Sequence, residues 1–163
     1  MGTKGREIVK MDVKEVVGLL NKALADEWLA VYQYWAGAKV AVGRMRGIVA
    51  KELEEHADEE KEHADKLVER IMQLGGTPIL DPENWKKMAN CVYDAPEDFD
   101  TRALLKQNIK GEQCAIAVYN KLLGIVEGKD PITAHLVLEI LKDEVKHEED
   151  LEAMLEDMKS KVE

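Results

Sequence analysis

The sequence is poor in proline and cysteine, with four prolines and two cysteines among 163 residues. Two cysteines are too few for the disulfide framework of a small secreted domain. No stretch approaches the roughly 18–20 apolar residues that cross a bilayer, and the N-terminal residues show no signal-peptide pattern. We therefore expect a cytoplasmic protein that has no membrane partner.

Charged and helix-forming residues are abundant instead. Hydrophobic residues make up 45% of the chain and charged residues 34%. The long segments are rich in Ala, Leu, Glu and Lys, which favour helices. A chain of this length suits one domain with a substantial core, so we expect a single all-α domain over residues 1–163.

The net charge of −10 predicts that the chain as a whole repels nucleic acid and attracts cations. The exception is an N-terminal arm, residues 1–11, where Lys4, Arg6 and Lys10 outnumber Glu7. Such an arm could touch DNA phosphates, but three positive charges make a thin electrostatic footprint. DNA binding is therefore an alternative with weak support.

Apolar periodicity predicts two long helices in the first half of the chain. Asp12 is placed to cap the first, with Glu15 at the capping-box position, and this helix should run to about Arg44. The second should stop at Gly75-Gly76-Thr77-Pro78. The inward positions of the two helices are Val17, Leu20, Leu24, Val31, Ala38 and Val42, then Val49, Leu53, Leu67, Ile71 and Leu74.

The second half repeats this organisation after an irregular segment, residues 79–99, which we interpret as a long crossover containing a short helix over Pro82–Ala89. A third helix is predicted from about Asp100 to about Gly128, and Asp130-Pro131 caps a fourth. Their inward positions are Leu105, Ile109, Ile116, Leu123 and Val126, then Val137, Ile140, Leu141, Leu151, Leu155 and Met158. The short loops within each half and the long central connection predict a four-helix bundle of two antiparallel hairpins, with no residues left for a fifth helix.

Six polar residues interrupt the apolar stripes near the middle of the four helices. A charged group on a buried stripe costs several kcal/mol unless it is paired or binds a metal ion. Two Glu-x-x-His pairs lie in helices two and four, and a single inward-facing Glu lies in each of helices one and three. The six are Glu27, Glu60, His63, Glu112, Glu144 and His147.

The spacing of these residues predicts two neighbouring metal sites. Residues three apart on a helix share a face, so a Glu and a His can hold the same ion. Mixed carboxylate and imidazole ligands suit iron or manganese, and zinc could also enter. In a chain so rich in Glu, the Glu-x-x-His motif alone is a modest signal, and ion pairing could account for one inward Glu. The two hairpins, however, repeat the spacing between their ligands to within one residue.

Other polar and aromatic residues on these faces are not assigned as metal ligands. Tyr34 and Tyr119 each lie two turns after their helix's single Glu. For Tyr34 we expect a hydrogen bond to a ligand or a role as electron donor, whereas core filling is the simpler interpretation of Tyr119. His56 is interpreted as a hydrogen-bonded core histidine, with a third metal site or a gate as the alternative, and His135 is given no role.

At these residues the chain resembles the ferritin superfamily, and bacterioferritin helices in particular. The matching segments are "ADEWLAVYQY", "EKEHADKLVERI" and "KDEVKHEEDLEAML". The resemblance implies a ferritin-like bundle in which Glu60 and Glu144 bridge two iron ions. The terminal ligands would then be Glu27, His63, Glu112 and His147.

Two departures narrow the resemblance. Lys61 occupies the position of bacterioferritin's haem methionine, so haem is not expected there, and the missing fifth helix argues against a 24-subunit cage. The chain is instead similar to the Dps-like proteins called thioferritins, which implies a dodecameric shell and a cysteine pair. Cys91 and Cys114 match that pair as a disulfide or redox-active dithiol near the iron site. The alternative is two unrelated buried thiols.

The function that the resemblance implies is a ferroxidase that oxidises Fe²⁺ with H₂O₂ or O₂. The shell would store the ferric product and so protect against oxidative damage. One alternative is a rubrerythrin-like peroxidase without mineral storage, although the chain has no rubredoxin-type cysteine cluster. The other is a DNA-binding Dps-type shell protein.

Overall fold

The computed structural model describes residues 2–159, which fold as a helical bundle. In chain order the elements are α1 (Thr3–Glu7), α2 (Val13–Val40), α3 (Arg46–Gln73), a 3₁₀ turn (Pro82–Asn84), α4 (Trp85–Met88), α5 (Thr101–Val126) and α6 (Pro131–Asp157). The four long helices confirm the all-α four-helix prediction. Within residues 2–159, no helix is long and apolar enough to cross a membrane.

The bundle consists of two helical hairpins joined by the long crossover. α2 packs along α3, and α5 packs along α6. The crossover follows the second hairpin helix as predicted, and its α4 lies against α2, where the rings of Trp28 and Trp85 stack with centroids 5.6 Å apart. This packing holds the crossover against one side of the bundle.

The first long helix ends earlier than the sequence predicted, at Val40 instead of Arg44. Val42 lies in the connecting loop, where its backbone N–H donates to Phe99 and its carbonyl accepts from Thr101, each at 2.9 Å. Gly43 adopts a φ of 100°, and a Cβ there would lie 2.5 Å from the Asp100 carboxylate. The helix therefore stops because its continuation pairs with the start of α5, and Val42 is half-exposed instead of buried.

The predicted helix starts are confirmed by their capping bonds. The side chains of Asp12 and Asp100 accept from the backbone two residues on, at 3.0 Å and 2.9 Å. Asp130 accepts from the Thr133 backbone at 3.1 Å. Each bond satisfies a backbone donor that the helix itself leaves free.

Asp130 also joins α6 to α3. Its carboxylate accepts from Arg70 at 2.8 Å and 2.9 Å, and Arg70 Nε donates to the Thr133 hydroxyl at 2.8 Å. All three side chains are buried. This network fixes the C-terminal end of α3 against the N-terminal end of α6.

The apolar interior is divided into two clusters by a polar layer. One cluster is built on Leu20, Leu67 and Ile140, and the other on Leu53, Leu105 and Leu151. Each long helix contributes to both clusters, because its buried apolar residues lie on either side of a buried polar segment. The four polar segments therefore meet at the same level of the bundle.

Candidate metal centre

The structure brings together all six side chains that the sequence singled out as ligands. They come from the four long helices, and each is at most 3% exposed. Two overlapping groups can be distinguished, in each of which the potential ligand atoms all lie within 4.8 Å of one another. The first contains Glu27, Glu60, His63 and Glu144, and the second contains Glu60, Glu112, Glu144 and His147.

In the first group, His63 Nδ1 is the central atom. It lies 2.9 Å from Glu60 Oε2, 3.4 Å from Glu144 Oε1 and 3.7 Å from Glu27 Oε2. Two ligands each about 2.1 Å from one ion are separated by roughly 3.0–3.4 Å at octahedral or tetrahedral angles. The spacing of these atoms is thus close to that of a coordination shell.

The second group has the same arrangement as the first, with Glu112 and His147 of the second hairpin in place of Glu27 and His63 of the first. His147 Nδ1 lies 3.3 Å from Glu60 Oε1, 3.3 Å from Glu144 Oε2 and 3.9 Å from Glu112 Oε2. Glu60 and Glu144 therefore belong to both groups, and each presents one carboxylate oxygen to His63 and the other to His147. This is the geometry that two bridging carboxylates require.

The pKa values of these side chains reflect how much negative charge is buried here. Burial and the nearby Glu144 raise the pKa of Glu27, and burial with Glu60 and Glu144 holds the pKa of Glu112 well above its usual range. Burial would lower the pKa of His147, but its contacts with Glu144 and Glu60 prevail and raise it to about 11. Protons thus balance the carboxylates that a bound cation would otherwise neutralise.

Two buried atoms of the six candidate ligands remain without a hydrogen-bond partner. Glu112 Oε2 and His147 Nδ1 have no hydrogen bond to any residue from 2 to 159, although they face each other. A buried polar atom that is left unpaired costs about 1–3 kcal/mol. A cation between the carboxylate and the imidazole would satisfy both atoms, so the residues present fit a pair of metal ions.

Comparison with known proteins identifies the family of the chain. Residues 17–161 match the Ferritin family, described as a ferritin-like domain. The chain belongs to the ferritin family. Among its relatives, the DNA protection during starvation protein of Pyrococcus furiosus is 36% identical over 148 residues, which is 89% of this chain and 79% of that protein. The bacterioferritin of Brucella melitensis is 32% identical over 143 residues, which is 87% of this chain and 83% of that protein.

Solved structures give the same placement for this ferritin-like chain. A dodecameric thioferritin, the bacterioferritin-related protein of Bacteroides fragilis, superposes with a TM-score of 0.93 at 45% identity and covers 96% of this chain and 95% of its own. The Dps of Thermosynechococcus elongatus superposes with a TM-score of 0.82 at 22% identity. The match covers 87% of this chain and 90% of the Dps chain. The second likeness concerns the fold alone.

Tyrosines from the opposite hairpin hold the two single glutamates of the ferritin-like site. The Tyr34 hydroxyl donates to Glu112, and the Tyr119 hydroxyl donates to Glu27. Both tyrosines are buried. The expected hydrogen bond from Tyr34 is confirmed, whereas core filling was an incomplete interpretation of Tyr119, which also contacts a carboxylate of the cluster.

Two further acidic residues, which the sequence analysis did not predict, contact the histidines of the cluster. His63 Nε2 lies 3.1 Å from Asp143 Oδ2, and His147 Nε2 lies 2.5 Å from Glu59 Oε2. Asp143 and Glu59 each precede a shared glutamate in the sequence. Because they contact the outer ring nitrogens, they direct both Nδ1 atoms toward the shared carboxylates. Their position next to Glu144 and Glu60 was the only signal in the sequence.

Cys91 and Cys114 form a disulfide, with their Cα atoms 6.0 Å apart. The alternative of two unrelated thiols was therefore wrong. The bond ties the crossover to α5, and the Cys91 backbone N–H donates to Asp26 on α2 at 2.8 Å. Together these bonds fix the crossover across the gap between α2 and α5.

A pocket beneath the crossover reaches the cluster. It is lined by the disulfide-bonded Cys91, by Asp26 and Val92, and by glutamates of the cluster that include Glu27 and Glu112. Val92 is 92% exposed, so the pocket extends to the protein surface. Burial raises the pKa of Asp26 even though Asn90 and Cys91 donate to its carboxylate.

Proposed function

We propose that the chain is a ferroxidase subunit that oxidises Fe²⁺ at this cluster. Glu60 and Glu144 would bridge two ions, Glu27 and His63 would complete one site, and Glu112 and His147 the other. The observation that carries the proposal is the division of the Glu60 and Glu144 oxygens between the two histidines. Mn²⁺ or Zn²⁺ would compete for the same oxygen and nitrogen ligands.

The reaction with peroxide balances with two Fe²⁺ as the reductant. Two Fe²⁺ lose one electron each, and H₂O₂ takes both electrons and two protons to give two Fe³⁺ and two waters. Glu60 and Glu144 would hold both Fe²⁺ ions in one site, so that one oxidant could accept both electrons. In the chain, Tyr34 and Tyr119 hold Glu112 and Glu27, while Glu59 and Asp143 hold the histidines. We propose in addition that Tyr34 donates the second electron when only one Fe²⁺ reacts: Fe²⁺ and Tyr34 each lose one electron, and H₂O₂ takes these electrons, the Tyr34 hydroxyl proton and one proton from solvent to give two waters. A later Fe²⁺ and a proton would then return the tyrosyl radical to tyrosine.

Storage of the ferric product in a dodecameric shell is supported by the likeness to the B. fragilis thioferritin. A surface on α2 and the crossover supports assembly independently. Tyr32 and Trp35 are about half-exposed, and Tyr32 lies against both Trp35 and Tyr93, with ring centroids 5.7 Å and 6.3 Å apart. Exposed aromatic clusters of this kind are typical of subunit interfaces. Removal of Fe²⁺ and peroxide together would protect the cell against oxidative damage.

Anaerobic loading with Fe²⁺ followed by H₂O₂ or O₂ tests the proposal, with iron counted per subunit. We expect fast oxidation of two Fe²⁺ per subunit in the parent protein. Glu60→Ala and His147→Ala should abolish this phase while leaving assembly intact. Glu62→Ala and His135→Ala are matched controls, since Glu62 and His135 are exposed residues on α3 and α6. Unchanged kinetics in Glu60→Ala and His147→Ala would disprove the assignment.

DNA binding is a second candidate, because the P. furiosus relative is a DNA protection protein. The N-terminal arm offers limited charge for it, since Lys4 already pairs with Glu7 at 2.6 Å within α1. A gel shift at low and at moderate salt tests this role, and no shift at low salt would exclude it. The rubrerythrin-like alternative predicts a small oligomer, which size-exclusion chromatography with light scattering distinguishes from a hollow shell.

A further inference from the structure

Another group of potential ligands lies next to the dinuclear cluster, on the side of α3 and α6. Glu52 and His56 lie one turn apart on α3, and Asp150 lies on α6. One ligand atom from each falls within 4.8 Å of the other two. The pocket described above opens between α2 and α5 instead, so this group is on a different side of the bundle.

His56 is buried without any hydrogen-bond partner. Its side chain is 2% exposed, and neither ring nitrogen bonds to a residue within 2–159. A buried polar atom without a partner is destabilising, and an imidazole has two such atoms. The interpretation of His56 as a hydrogen-bonded core histidine was therefore wrong.

The ring of His56 is held so that one nitrogen faces the Glu52 carboxylate. Nε2 lies 3.4 Å from Glu52 Oε1, without the alignment of a hydrogen bond. This is the separation expected of two ligands on one ion, roughly 3.0–3.4 Å. The ring is fixed by Tyr34, which it meets edge-on at 5.2 Å between centroids, and by His147, on which it stacks at 4.2 Å.

The charge at this position favours a cation. Burial raises the pKa of Glu52, and the carboxylate of Asp150 raises it further because the two negative charges repel each other. The Lys146 ammonium lies at the rim, 3.9 Å from Asp150 Oδ2 and 4.0 Å from Glu59 Oε1, and its side chain is 61% exposed. An exposed lysine at that distance neutralises the pair only weakly.

We propose that Glu52, His56 and Asp150 form a third binding site, which takes a divalent transition-metal cation such as Fe²⁺ or Co²⁺. His56 Nε2 would supply the nitrogen ligand, and the two carboxylates would supply oxygen ligands. The site adjoins the dinuclear cluster through the stacked rings of His56 and His147. It goes beyond the proposed ferroxidase reaction, because binding here needs none of the six ligands of that cluster.

Co²⁺ is the probe for the test, since it takes the same ligands and is stable in air. Crystals of the intact protein soaked in Co²⁺ should show an anomalous peak within roughly 2.0–2.2 Å of His56 Nε2. In solution, the double variant Glu52→Gln/Asp150→Asn should retain one fewer Co²⁺ per subunit than the parent. Asp58→Asn is the matched control, because Asp58 is an exposed carboxylate on α3, and it should bind as many Co²⁺ as the parent.

The result distinguishes this proposal from the ferroxidase proposal. Peaks at the dinuclear cluster without a peak at His56 would overturn the third site and leave the ferroxidase assignment intact. A peak at His56 without peaks at the cluster would support the third site and overturn the ferroxidase assignment. An unchanged Co²⁺ count in Glu52→Gln/Asp150→Asn would also overturn the third site. Loss of one Co²⁺ per subunit in this double variant, with no loss in Asp58→Asn, would support it.

Discussion

The Tyr119 hydroxyl on α5 donates a hydrogen bond to Glu27 on α2, so each hairpin orients a carboxylate of the other. Tyr34 on α2 does the same for Glu112 on α5. The two hydrogen bonds occupy equivalent positions in the two hairpins, as His63 and His147 also do. The geometry of the carboxylate and histidine cluster therefore depends on how the two hairpins pack.

Replacement of either tyrosine by phenylalanine should destabilise the metal-free protein. A buried polar group that is left without its partner costs about 1–3 kcal/mol, and the buried Glu27 or Glu112 side chain would lose its hydroxyl donor. We expect Tyr34→Phe and Tyr119→Phe to lower the free energy of unfolding by similar amounts, measured by urea denaturation at one protein concentration. Tyr32→Phe is the control, because Tyr32 lies outside the cluster and the substitution keeps the ring that lies against Trp35.

The same two variants separate positioning from electron donation. If Tyr34 supplies an electron as well as a hydrogen bond, stopped-flow oxidation of Fe²⁺ should be slower in Tyr34→Phe than in Tyr119→Phe. Equal rates in the two variants would remove the special role of Tyr34 and leave both tyrosines as positioning residues.

Glu59→Gln and Asp143→Asn should weaken metal binding without removing a ligand. Each residue contacts the outer nitrogen of a ligand histidine, and loss of such a partner typically costs 10–100-fold in metal affinity, so we expect roughly that range. Anaerobic titration with Co²⁺ measures the effect. The exposed Glu62 on α3 provides the control Glu62→Gln. An affinity unchanged in both test variants would mean that Glu59 and Asp143 do not position the histidines.

The six cluster residues were predictable because each is a polar residue on an otherwise apolar stripe of a long helix. Glu59 and Asp143 were not, because their side chains are 41% and 46% exposed and such positions look like solvated helix surface. Their contacts join different hairpins, so they depend on how the hairpins pack. The early end of α2 at Val40 was not predictable for a similar reason. The loop after α2 forms a backbone hydrogen bond with Phe99, which is distant in the sequence.

Removal of the disulfide should loosen the crossover. Cys91 and Cys114 are 23 residues apart, and a bridge closing a loop of that size stabilises by about 3 kcal/mol in the chain-entropy account. The Cys91→Ser/Cys114→Ser variant should unfold at lower urea concentration, with the same shift on reduction of the parent protein. Reduction of the double variant is the control and should change nothing. A midpoint that is equal in oxidised and reduced parent protein would contradict a stabilising role.

Trp35→Glu should disrupt assembly while leaving the fold of the subunit intact. Trp35 is 49% exposed beside Tyr32, and a charge placed in a closely packed interface costs several kcal/mol. Light scattering should show a smaller assembly, with unchanged helix content by circular dichroism. The exposed Leu138 on α6 offers the comparison Leu138→Glu. An assembly of parental size in Trp35→Glu would exclude this surface of α2 from the subunit contacts.

The Arg70–Asp130 pair should give the protein a defined sensitivity to acid. Burial would raise the pKa of Asp130, but the hydrogen bonds from Thr133 and Arg70 prevail and lower it below its ordinary value of 3.8. A carboxylate with a lowered pKa contributes stability above its unfolded-state pKa and loses it as the pH falls through the folded-state value. The stabilisation should therefore be complete at neutral pH and decline below about pH 4.

A double-mutant cycle isolates this contribution from those of the other carboxylates. Arg70→Met leaves the buried Asp130 unpaired and should cost about 3–5 kcal/mol at pH 7, whereas Arg70→Met/Asp130→Asn should recover part of that loss. The Asp130→Asn change keeps an oxygen for the Thr133 backbone N–H, so the helix cap survives. The coupling energy from urea unfolding should shrink between pH 5 and pH 3. A coupling energy that stays constant over that range would show that Asp130 remains ionised there, or that Arg70 acts through packing alone.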